Sequence, residues 1–405
     1  MSAVLLYGYG HLTRVAPGSM VDVLMKDFSV GAAALGNISA MYWYAYSIFQ
    51  IPGGFLIDRF DPIKIMAVSS ILCVSGGLLF SFAQSVELAN VGRFLTGAGG
   101  ASLYACCIKI SHTWFNPKRF ALLGGLIILI GMFGAAGGQA PLAFLIEISD
   151  WRTVMLWVAI AALPLGILVL LGKNLTTPSI SATLTTLELL KLLRKAALSK
   201  EYWINTLFTM MIAGPATTFP VWGIAYYMQV KGYDRTGAAI FTTISLLGWA
   251  FGSLSAGWLS SKIQRHQRLA IVYAILAVVG WSIFISVPGL PRIGHLLVML
   301  LIGYSAGGIV VGFILIANSC PRSLVGTATS ISNTLVMLLS AIILLTMGYV
   351  LDVLWTGENI DGARIFSSHA FRMAYLVMPC VSIVALFAAM VIKEPARLYA
   401  DRDIT

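Results

Sequence analysis

The stretch GGFLIDRFDPIKI, residues 53–65, concentrates charge in a chain that otherwise avoids it. Four of the seven residues from position 58 to position 64 are charged, namely Asp58, Arg59, Asp61 and Lys64. The flanking runs 28–57 and 65–86 carry no charged side chain. Each is long enough to cross a bilayer as a helix, which takes about 20 apolar residues. The cluster therefore marks a water-exposed loop between two membrane-spanning helices.

The rest of the chain repeats this alternation. It is 59% hydrophobic and only 10% charged, whereas a soluble domain carries about 25% charged residues. Lipid offers no hydrogen-bond partner to an open backbone, so apolar runs that enter it must be helical. Two further apolar segments, 1–21 and 88–110, are interrupted by basic residues. The sequence predicts an all-α polytopic membrane protein with twelve transmembrane helices, from charge-free runs at 28–57, 65–86, 120–146, 153–172, 202–230, 236–261, 269–291, 293–321, 323–351 and 373–392 and from the two interrupted segments.

The net charge of +10 is distributed unevenly between the two predicted sides of the membrane. If both termini are cytoplasmic, the cytoplasmic segments hold 17 Lys and Arg residues and the outer segments hold 7. This is the positive-inside bias, which predicts cytoplasmic N- and C-termini. The basic residues therefore indicate membrane topology, with the lipid bilayer as partner, and not a nucleic-acid partner. The start of the chain has neither the basic lead nor the cleavage site of a signal peptide.

Two local patterns recur at half the chain length. Gly54 and Gly257 begin similar stretches, GFLIDRF and GWLSSKI, and are 203 residues apart. Pro117 with Gly124 and Pro321 with Gly326 form a second pair. The predicted organisation is an N-terminal six-helix half (1–172), a cytoplasmic linker (173–201), a C-terminal six-helix half (202–392) and a cytoplasmic tail (393–405). Within the linker, LTTLELLKLLRK predicts either an amphipathic helix on the membrane surface or a partly ordered connection.

The charged cluster has two explanations. Gly54 lacks a side chain, so another helix can approach it closely. Asp58 can accept backbone N–H groups at the N-terminus of a neighbouring helix, and Arg59 and Lys64 can pair with acidic groups or lipid phosphate. A latch at the edge of the membrane needs these residue types. The alternative is an ordinary positively charged turn.

The cluster also carries a family resemblance. GFLIDRFDPIK resembles the G-x-x-x-D-[R/K]-x-G-x-[R/K]-[R/K] signature of the major facilitator superfamily, with Asp61 in place of the second glycine and Ile63 in place of one basic residue. RFLTGAGGAS, residues 93–102, is similar to the helix 4 motif of that family. The resemblance implies twelve helices in two pseudo-symmetric halves and alternating access. It implies a gating role for Gly54, Asp58, Arg59, Lys64 and Arg93.

Other stretches narrow the resemblance. LTRVAPGSMVDVLMKDF, WYAYSIFQIPGG and WFNPKRFALLGG are similar to a bacterial branch of the superfamily that includes intraphagosomal amino-acid and nucleoside transporters. This implies a bacterial cytoplasmic (inner) membrane. The antiporter signature of the superfamily places a proline beside a glycine in helix 5. In this chain helix 5 has Gly134-Ala135 without the proline, which argues against drug–proton antiport.

Substrate chemistry is predicted from charge at membrane depth. All 16 Asp and Glu residues fall in loops or at helix ends, whereas basic residues interrupt helices 1 and 4. Ionisable groups inside a membrane are costly and mark functional sites. The resemblance places helices 1 and 4 around the central cavity, where cations without carboxylates would attract an anion or the carboxylate of a zwitterion. The candidate substrate-binding residues are Arg14, His11, Tyr42, Tyr46, Lys109, Gln139, Trp222, Tyr226 and Asn333.

Several of these candidates have structural alternatives. Arg14 lies eight residues before Asp22, roughly 12 Å inside the membrane edge at helical rise, which favours a functional role. His11 is either a proton site or a packed neutral histidine. The Lys109 stem can simply carry its ammonium group to the membrane edge. Trp222 and Tyr226 also fit an aromatic belt at the interface, and polar residues such as Gln139 and Asn333 can join helices through hydrogen bonds.

These observations favour a secondary active transporter, with proton-coupled uptake of a small carboxylate-bearing solute as the leading hypothesis. An exporter of an anionic metabolite or siderophore, a nucleoside transporter and a non-transporting sensor remain alternatives. The chain lacks H-E-x-x-H, and no enzymatic activity and no catalytic residue is predicted. The five cysteines lack metal-site or paired-disulfide spacing. No metal and no cofactor is predicted, and the protein is expected to be a monomer.

Overall fold

The fold is taken from a computed structural model of the chain. It describes residues 1–114, 117–171, 199–263, 265–287, 289–320, 325–360 and 362–393, apart from the side chains of residues 55, 58, 59, 112, 113 and 117–122. The linker helix predicted around LTTLELLKLLRK and most of the predicted tail lie outside the described residues.

Helices account for almost all of the described chain and form twelve consecutive segments. Segments 1 to 6 are Ser2–Val15 with Ala16–Met20 and Val21–Phe28, Ala32–Arg59, Pro62–Ser81, Val86–Gly100 with Leu103–Trp114, Pro117–Gly137 with Ala140–Ile148, and Trp151–Leu171. Segments 7 to 12 are Lys200–Gln229, Arg235–Ile263, His266–Ser286, Arg292–Ala306 with Ile309–Asn318, Val325–Val353, and Ser368–Tyr375 with Val377–Val391. A short antiparallel hairpin, β1 (Asn359–Ile360) and β2 (Ala363–Arg364), connects segments 11 and 12.

The predicted fold class is confirmed. Among the described residues, nine helices are long and apolar enough to cross a membrane. Segments 1, 2 and 4 are outside that set, and segments 1 and 4 are the two that the sequence shows to be interrupted by His11, Arg14, Arg93 and Lys109. The twelve segments are consistent with the twelve predicted transmembrane helices.

Local sequence explains where several helices begin and break. Asp61 precedes Pro62 and accepts a hydrogen bond from the Ile63 amide at 2.9 Å, so it is the N-cap of segment 3. The residue that replaces the second signature glycine therefore starts a helix. In segment 1, Pro17 has no amide hydrogen to donate, and the chain passes through the 3₁₀ turn Ala16–Met20.

Glycines allow the two halves to touch at one face of the bundle. A Cβ atom at Gly18 in segment 1 would lie 2.0 Å from the carbonyl oxygen of Pro220 in segment 7. At Gly36 in segment 2 it would lie 2.9 Å from the carbonyl oxygen of Leu344 in segment 11. No side chain fits at such distances, so backbone meets backbone there. We call this face, where the odd-numbered segments end and the even-numbered segments begin, the closed face.

The opposite face, here called the open face, shows the reverse. Segments 2 and 11 pack against each other, as do segments 5 and 8, so the seam between the halves runs along these pairs. Near the open face, Cβ atoms at Gly54, Gly124, Gly257 and Gly326 would meet no described atom within 4 Å. These are the glycines of the two repeated patterns. The close approach predicted at Gly54 is therefore not made in this conformation.

Candidate functional site

The break in segment 1 creates a binding position for Arg93. Carbonyl groups at the end of a helix have no partner within it. Arg93 in segment 4 donates to two such groups, from Nη1 to the Thr13 oxygen at 2.6 Å and from Nη2 to the Arg14 oxygen at 3.2 Å. Its guanidinium also lies over the Tyr42 ring, 5.1 Å from the centroid. Arg93 thus fixes the backbone that carries Arg14.

Arg14 lies in the last turn of the helix Ser2–Val15 of segment 1 and is 8% exposed. Its guanidinium lies over the Trp43 ring, 5.2 Å from the centroid, and its Nε is buried without a hydrogen-bond partner. No salt bridge joins it to an acidic side chain of the described residues. The aromatic ring face attracts the cation but leaves its planar donors free. Arg14 is therefore available to an anionic group that enters the bundle.

His11 lies one helical turn before Arg14. The edge of its ring meets Tyr7, with the ring centroids 4.6 Å apart, and Tyr7 in turn meets Tyr104 of segment 4 at 5.5 Å. The Nδ1 atom of His11 is buried and has no hydrogen-bond partner. The charge of Arg14 acts on His11 and on Tyr7. The predicted pair His11 and Arg14 therefore belongs to one aromatic-lined cluster.

The predicted pair Tyr42 and Tyr46 connects this cluster to the second half. Tyr42 donates to the Gly10 carbonyl at 3.2 Å, and the two tyrosine rings stack with centroids 6.1 Å apart. The hydroxyl of Tyr46 lies close to the side chain of Asn333 in segment 11. Asn333 thus joins the site from the C-terminal half.

Gln139 holds the same part of segment 1 from segment 5. It occupies the break between Pro117–Gly137 and Ala140–Ile148, where its Nε2 donates to the Val15 and Gly138 carbonyls, each at 3.1 Å. Its Oε1 is buried without a partner. The amide nitrogen of Gln139 therefore joins helices, which is the alternative role given to this residue from the sequence. Its amide oxygen remains free.

Three other candidates lie elsewhere. Lys109 donates to the Ile57 carbonyl near the end of segment 2 at the open face. Trp222 is fully buried at the closed face, where its Cζ2 would lie 3.7 Å from a Cβ atom at Gly36. Tyr226 packs among aromatic rings of the C-terminal half, with centroids 5.2 Å from Phe284 and 5.7 Å from Tyr375. The structure does not bring these three together with Arg14.

The predicted gating residues are only partly described. Gly54 faces open space and Lys64 is exposed at the start of segment 3. The side chains of Asp58 and Arg59 lie outside the described set, so their latch role stays a prediction. Sequence reasoning missed Tyr7, Trp43 and Tyr104. The spacing of four between Tyr7 and His11 was a usable signal, whereas the contact between Arg14 and Trp43 requires the tertiary structure.

The arrangement has the chemistry of a solute site. Its cations are on segments 1 and 4, and its hydroxyl and amide groups are on segments 2, 5 and 11. The described residues contain no cluster of His, Cys, Asp or Glu that could hold a metal ion. The fold and the site define a helical membrane transporter whose two halves are in backbone contact at one face and leave space around the glycines at the other.

Comparison with known proteins gives the family. The model of the Major Facilitator Superfamily matches residues 4–344, and the chain belongs to this superfamily. The uncharacterized transporter YybO of Bacillus subtilis (strain 168) is 24% identical, over 98% of this chain and 94% of that protein. The resemblance in the signature loop is thus confirmed at the level of the superfamily. The members of this family, including that relative, are transporters and not enzymes.

Two further relatives have named substrates. The lysosomal dipeptide transporter MFSD1 of Danio rerio is 22% identical over 92% of this chain and 84% of its own. The probable galactarate/D-glucarate transporter GarP of Escherichia coli (strain K12) is 22% identical over 89% of this chain and 86% of its own. Among solved structures, a bacterial homologue of the human lysosomal transporter Spinster, inward-facing and unoccupied, matches the fold with a TM-score of 0.79. It has 14% identity and covers 98% of both chains.

The closed face also depends on a helix cap supplied by the other half. Segment 2 begins after Gly31, which has no side chain with which to cap the helix. Instead, Asp352 at the end of segment 11 accepts the amides of Ala32 and Ala33, both at 2.8 Å, and pairs with Arg364 of β2 at 2.9 Å. An acidic residue is unfavourable at the end of its own helix, and the N-terminus of segment 2 compensates for this.

We expect Asp352→Asn to weaken the closed face. Asparagine keeps an acceptor oxygen but loses the negative charge at the N-terminus of segment 2, which costs about 1 kcal/mol or roughly a fivefold change in population. The measurement is the distance between spin labels at Gln84 and Ser286, on opposite halves of this face, in a variant without the native cysteines. Asp150→Asn is the matched control, because Asp150 caps segment 6 within one half, accepting the Arg152 amide at 3.0 Å. Equal distance distributions in the two variants would mean that Asp352 does not hold the halves together.

Proposed function

We propose that this protein takes up a small carboxylate-bearing solute, such as an amino acid or organic anion, together with a proton. It would do so by alternating access between its two halves. The observation that carries the proposal is Arg14, a buried guanidinium with no acidic partner among the described residues. An unpaired charge at membrane depth is costly unless something compensates it. A carboxylate bound by the planar donors of Arg14 would provide that compensation.

The named relatives support a carboxylate as the common chemical feature. Dipeptides, galactarate and D-glucarate differ in size and in hydroxyl and amide content, but all carry at least one carboxylate. The polar groups around Arg14 suit such solutes, because Tyr46, Asn333 and Gln139 offer both donors and acceptors. Discrimination among them would depend on these neutral groups, while Arg14 would bind the feature that they share.

We further propose that the open face is the cytoplasmic one. The proposal is supported by the distribution of Lys and Arg, which favours a cytoplasmic position for the loop after segment 2 and for both termini. In that orientation the described conformation faces inward. Asp58 and Arg59 would then hold the open face shut in the alternative, outward-facing state. The two six-helix halves would move as the rocking units, and the protein would reside in a bacterial cytoplasmic membrane as a monomer.

Reporter fusions test this orientation. We expect fusions near Lys195 and after Lys393 to report a cytoplasmic position and a fusion at Gly357 to report an external one. Gly357 lies in the connection that follows segment 11, at the closed face. A cytoplasmic signal from Gly357 would contradict both the topology and the inward-facing assignment.

Uptake into proteoliposomes tests the function. The panel should contain gluconate, galactarate, D-glucarate, glycylglycine, leucine and adenosine, each assayed with and without an acidic exterior. The expected result is saturable uptake of one or more carboxylates and none of adenosine. Uptake of adenosine alone would favour the nucleoside alternative. Binding without any transport would favour a sensor, and movement only out of loaded vesicles would favour an exporter.

A further inference from the structure

We infer that His11 is the group that carries the coupled proton, and that it is protonated only while a carboxylate occupies Arg14. This inference rests on the proposed uptake of a carboxylate. It adds the residue that carries the proton, the number of protons per anion and the gradient that drives uptake. One proton and one monoanion would bind at neighbouring positions on segment 1 and cross the membrane together.

The surroundings of His11 contain no carboxylate in the described structure. On its own segment it faces Tyr7 and Arg14. Segment 4 contributes Arg93, Tyr104 and the thiol of Cys107, which donates to the Ala3 carbonyl at 3.4 Å. Segment 2 contributes the hydroxyls of Tyr42 and Tyr46, and segment 3, which also packs on segment 1, contributes the thiol of Cys73. The described parts of segments 5 and 6 that pack on segment 1 carry no titratable side chain between residues 123 and 146 or between residues 153 and 171.

Among these groups only the imidazole changes its charge in the physiological range of pH. Arginine, tyrosine and cysteine side chains have reference pKa values above that range. Protonation of His11 in the empty site would place a second cation one helical turn from Arg14, in a region where charges are poorly solvated. The empty site therefore favours the neutral imidazole.

A bound carboxylate changes this balance. Its negative charge compensates Arg14 and offers an acceptor for an imidazolium N–H. His11 can then take up a proton, with the proton moving from water to an imidazole nitrogen and no other bond changing. Anion binding and proton binding become mutually supportive, and thermodynamic linkage makes the effect reciprocal.

The charge count gives the stoichiometry. With His11 neutral, the empty site carries the arginine charges alone. With one monoanion and one proton bound, its net charge is the same. Moving one additional charge across a membrane costs about 2.3 kcal/mol per 100 mV, so a cycle without the proton would be opposed by an inside-negative potential. Because the loaded and empty sites carry equal charge, the complete cycle is electroneutral and responds to the pH gradient alone.

The test uses gluconate in proteoliposomes, or another monoanion if the uptake panel selects one. For the wild type we expect about tenfold accumulation for an imposed difference of one pH unit, acidic outside, because one unit corresponds to a tenfold ratio. An imposed potassium diffusion potential should have no effect. His11→Gln should lose accumulation but retain exchange of labelled for unlabelled gluconate.

His295→Gln is the matched control. His295 is also buried and also has an unpartnered ring nitrogen, but it interacts with Tyr227 in the C-terminal half at 3.3 Å. This variant should accumulate gluconate as the wild type does. Accumulation of gluconate by His11→Gln in response to the pH gradient would overturn the inference. Wild-type uptake that is the same with and without the pH gradient would also overturn it.

A wild-type measurement keeps the inference testable if His11→Gln does not fold. Adding gluconate to purified protein in weakly buffered solution should remove one proton from solution per anion bound. Binding without proton uptake would overturn the role of His11 while leaving carboxylate transport intact. If the wild type transports no carboxylate at all, the proposed function itself fails.

Discussion

Replacing Arg14 with alanine is expected to abolish saturable carboxylate uptake while the protein still folds. The variant leaves no buried acidic partner unpaired, because no described acidic side chain forms a salt bridge with Arg14. Arg14→Lys keeps the charge but loses the planar fork that binds both carboxylate oxygens. We expect it to weaken binding by about 1–3 kcal/mol, the range for charge-assisted hydrogen bonds, which is roughly a 5- to 150-fold increase in Kd.

The comparison requires a ligand control and a protein control. Substrate affinity is measured for the wild type and both variants with the acid and with its methyl ester, which lacks the negative charge. Arg292→Ala removes the same charge from an exposed position at the start of segment 10 and should change neither affinity. If Arg14→Ala binds the acid and the ester as the wild type does, Arg14 is structural and the anion hypothesis loses its main support.

The second large effect is expected at Gly54. A Cβ atom there would meet no described atom within 4 Å in this conformation, so we expect Gly54→Leu to fold and open as the wild type does. Transport also requires the open face to close. Closure at the other end of the same seam leaves 2.9 Å between a Cβ atom at Gly36 and the opposing carbonyl. A comparable approach at Gly54 cannot accommodate leucine, and we expect uptake to fall below detection.

Two variants and one distance separate this effect from misfolding. Gly257→Leu, the equivalent position of the second repeat, should behave like Gly54→Leu. Gly289→Leu, in an exposed loop with no described atom within 4 Å of its Cβ position, should transport normally. In Gly54→Leu the labels at Gln84 and Ser286 should keep their short distance whether or not substrate is present. Normal uptake by Gly54→Leu would mean that the halves do not close at this glycine.

The sequence predicted the overall fold because charged residues are excluded from lipid, so their positions along the chain nearly determine where the membrane-spanning helices lie. The helix that starts at Pro62 follows directly from apolar run lengths and capping chemistry, whereas the loop predicted at Asp58 is shorter in the structure, because segment 2 continues to Arg59. The burial of Arg14 and Arg93 also follows, since each interrupts an apolar run. For these features the information lies within a few residues of the feature itself.

Other features depend on partners that are distant in the sequence. Arg93 finds free carbonyls at Thr13 and Arg14 only because segment 1 breaks at Pro17. Asp352 caps segment 2, which begins some three hundred residues earlier. Trp222 and Tyr226 illustrate the same limit, since both fit an aromatic belt by sequence but are enclosed by packing that only the fold reveals. Local patterns identified the residue types, and the assembled helices decided what each one contacts.

The hairpin between segments 11 and 12 offers a practical use of this geometry. It belongs to the C-terminal half, yet a Cβ atom at Gly362 would lie 3.5 Å from Cγ of Lys26, at the end of segment 1. The turn and the end of that helix therefore form a single epitope only while the closed face is shut. An antibody fragment raised against this composite surface would bind one state of the transport cycle, and its occupancy on living cells would report the fraction of transporters in that state.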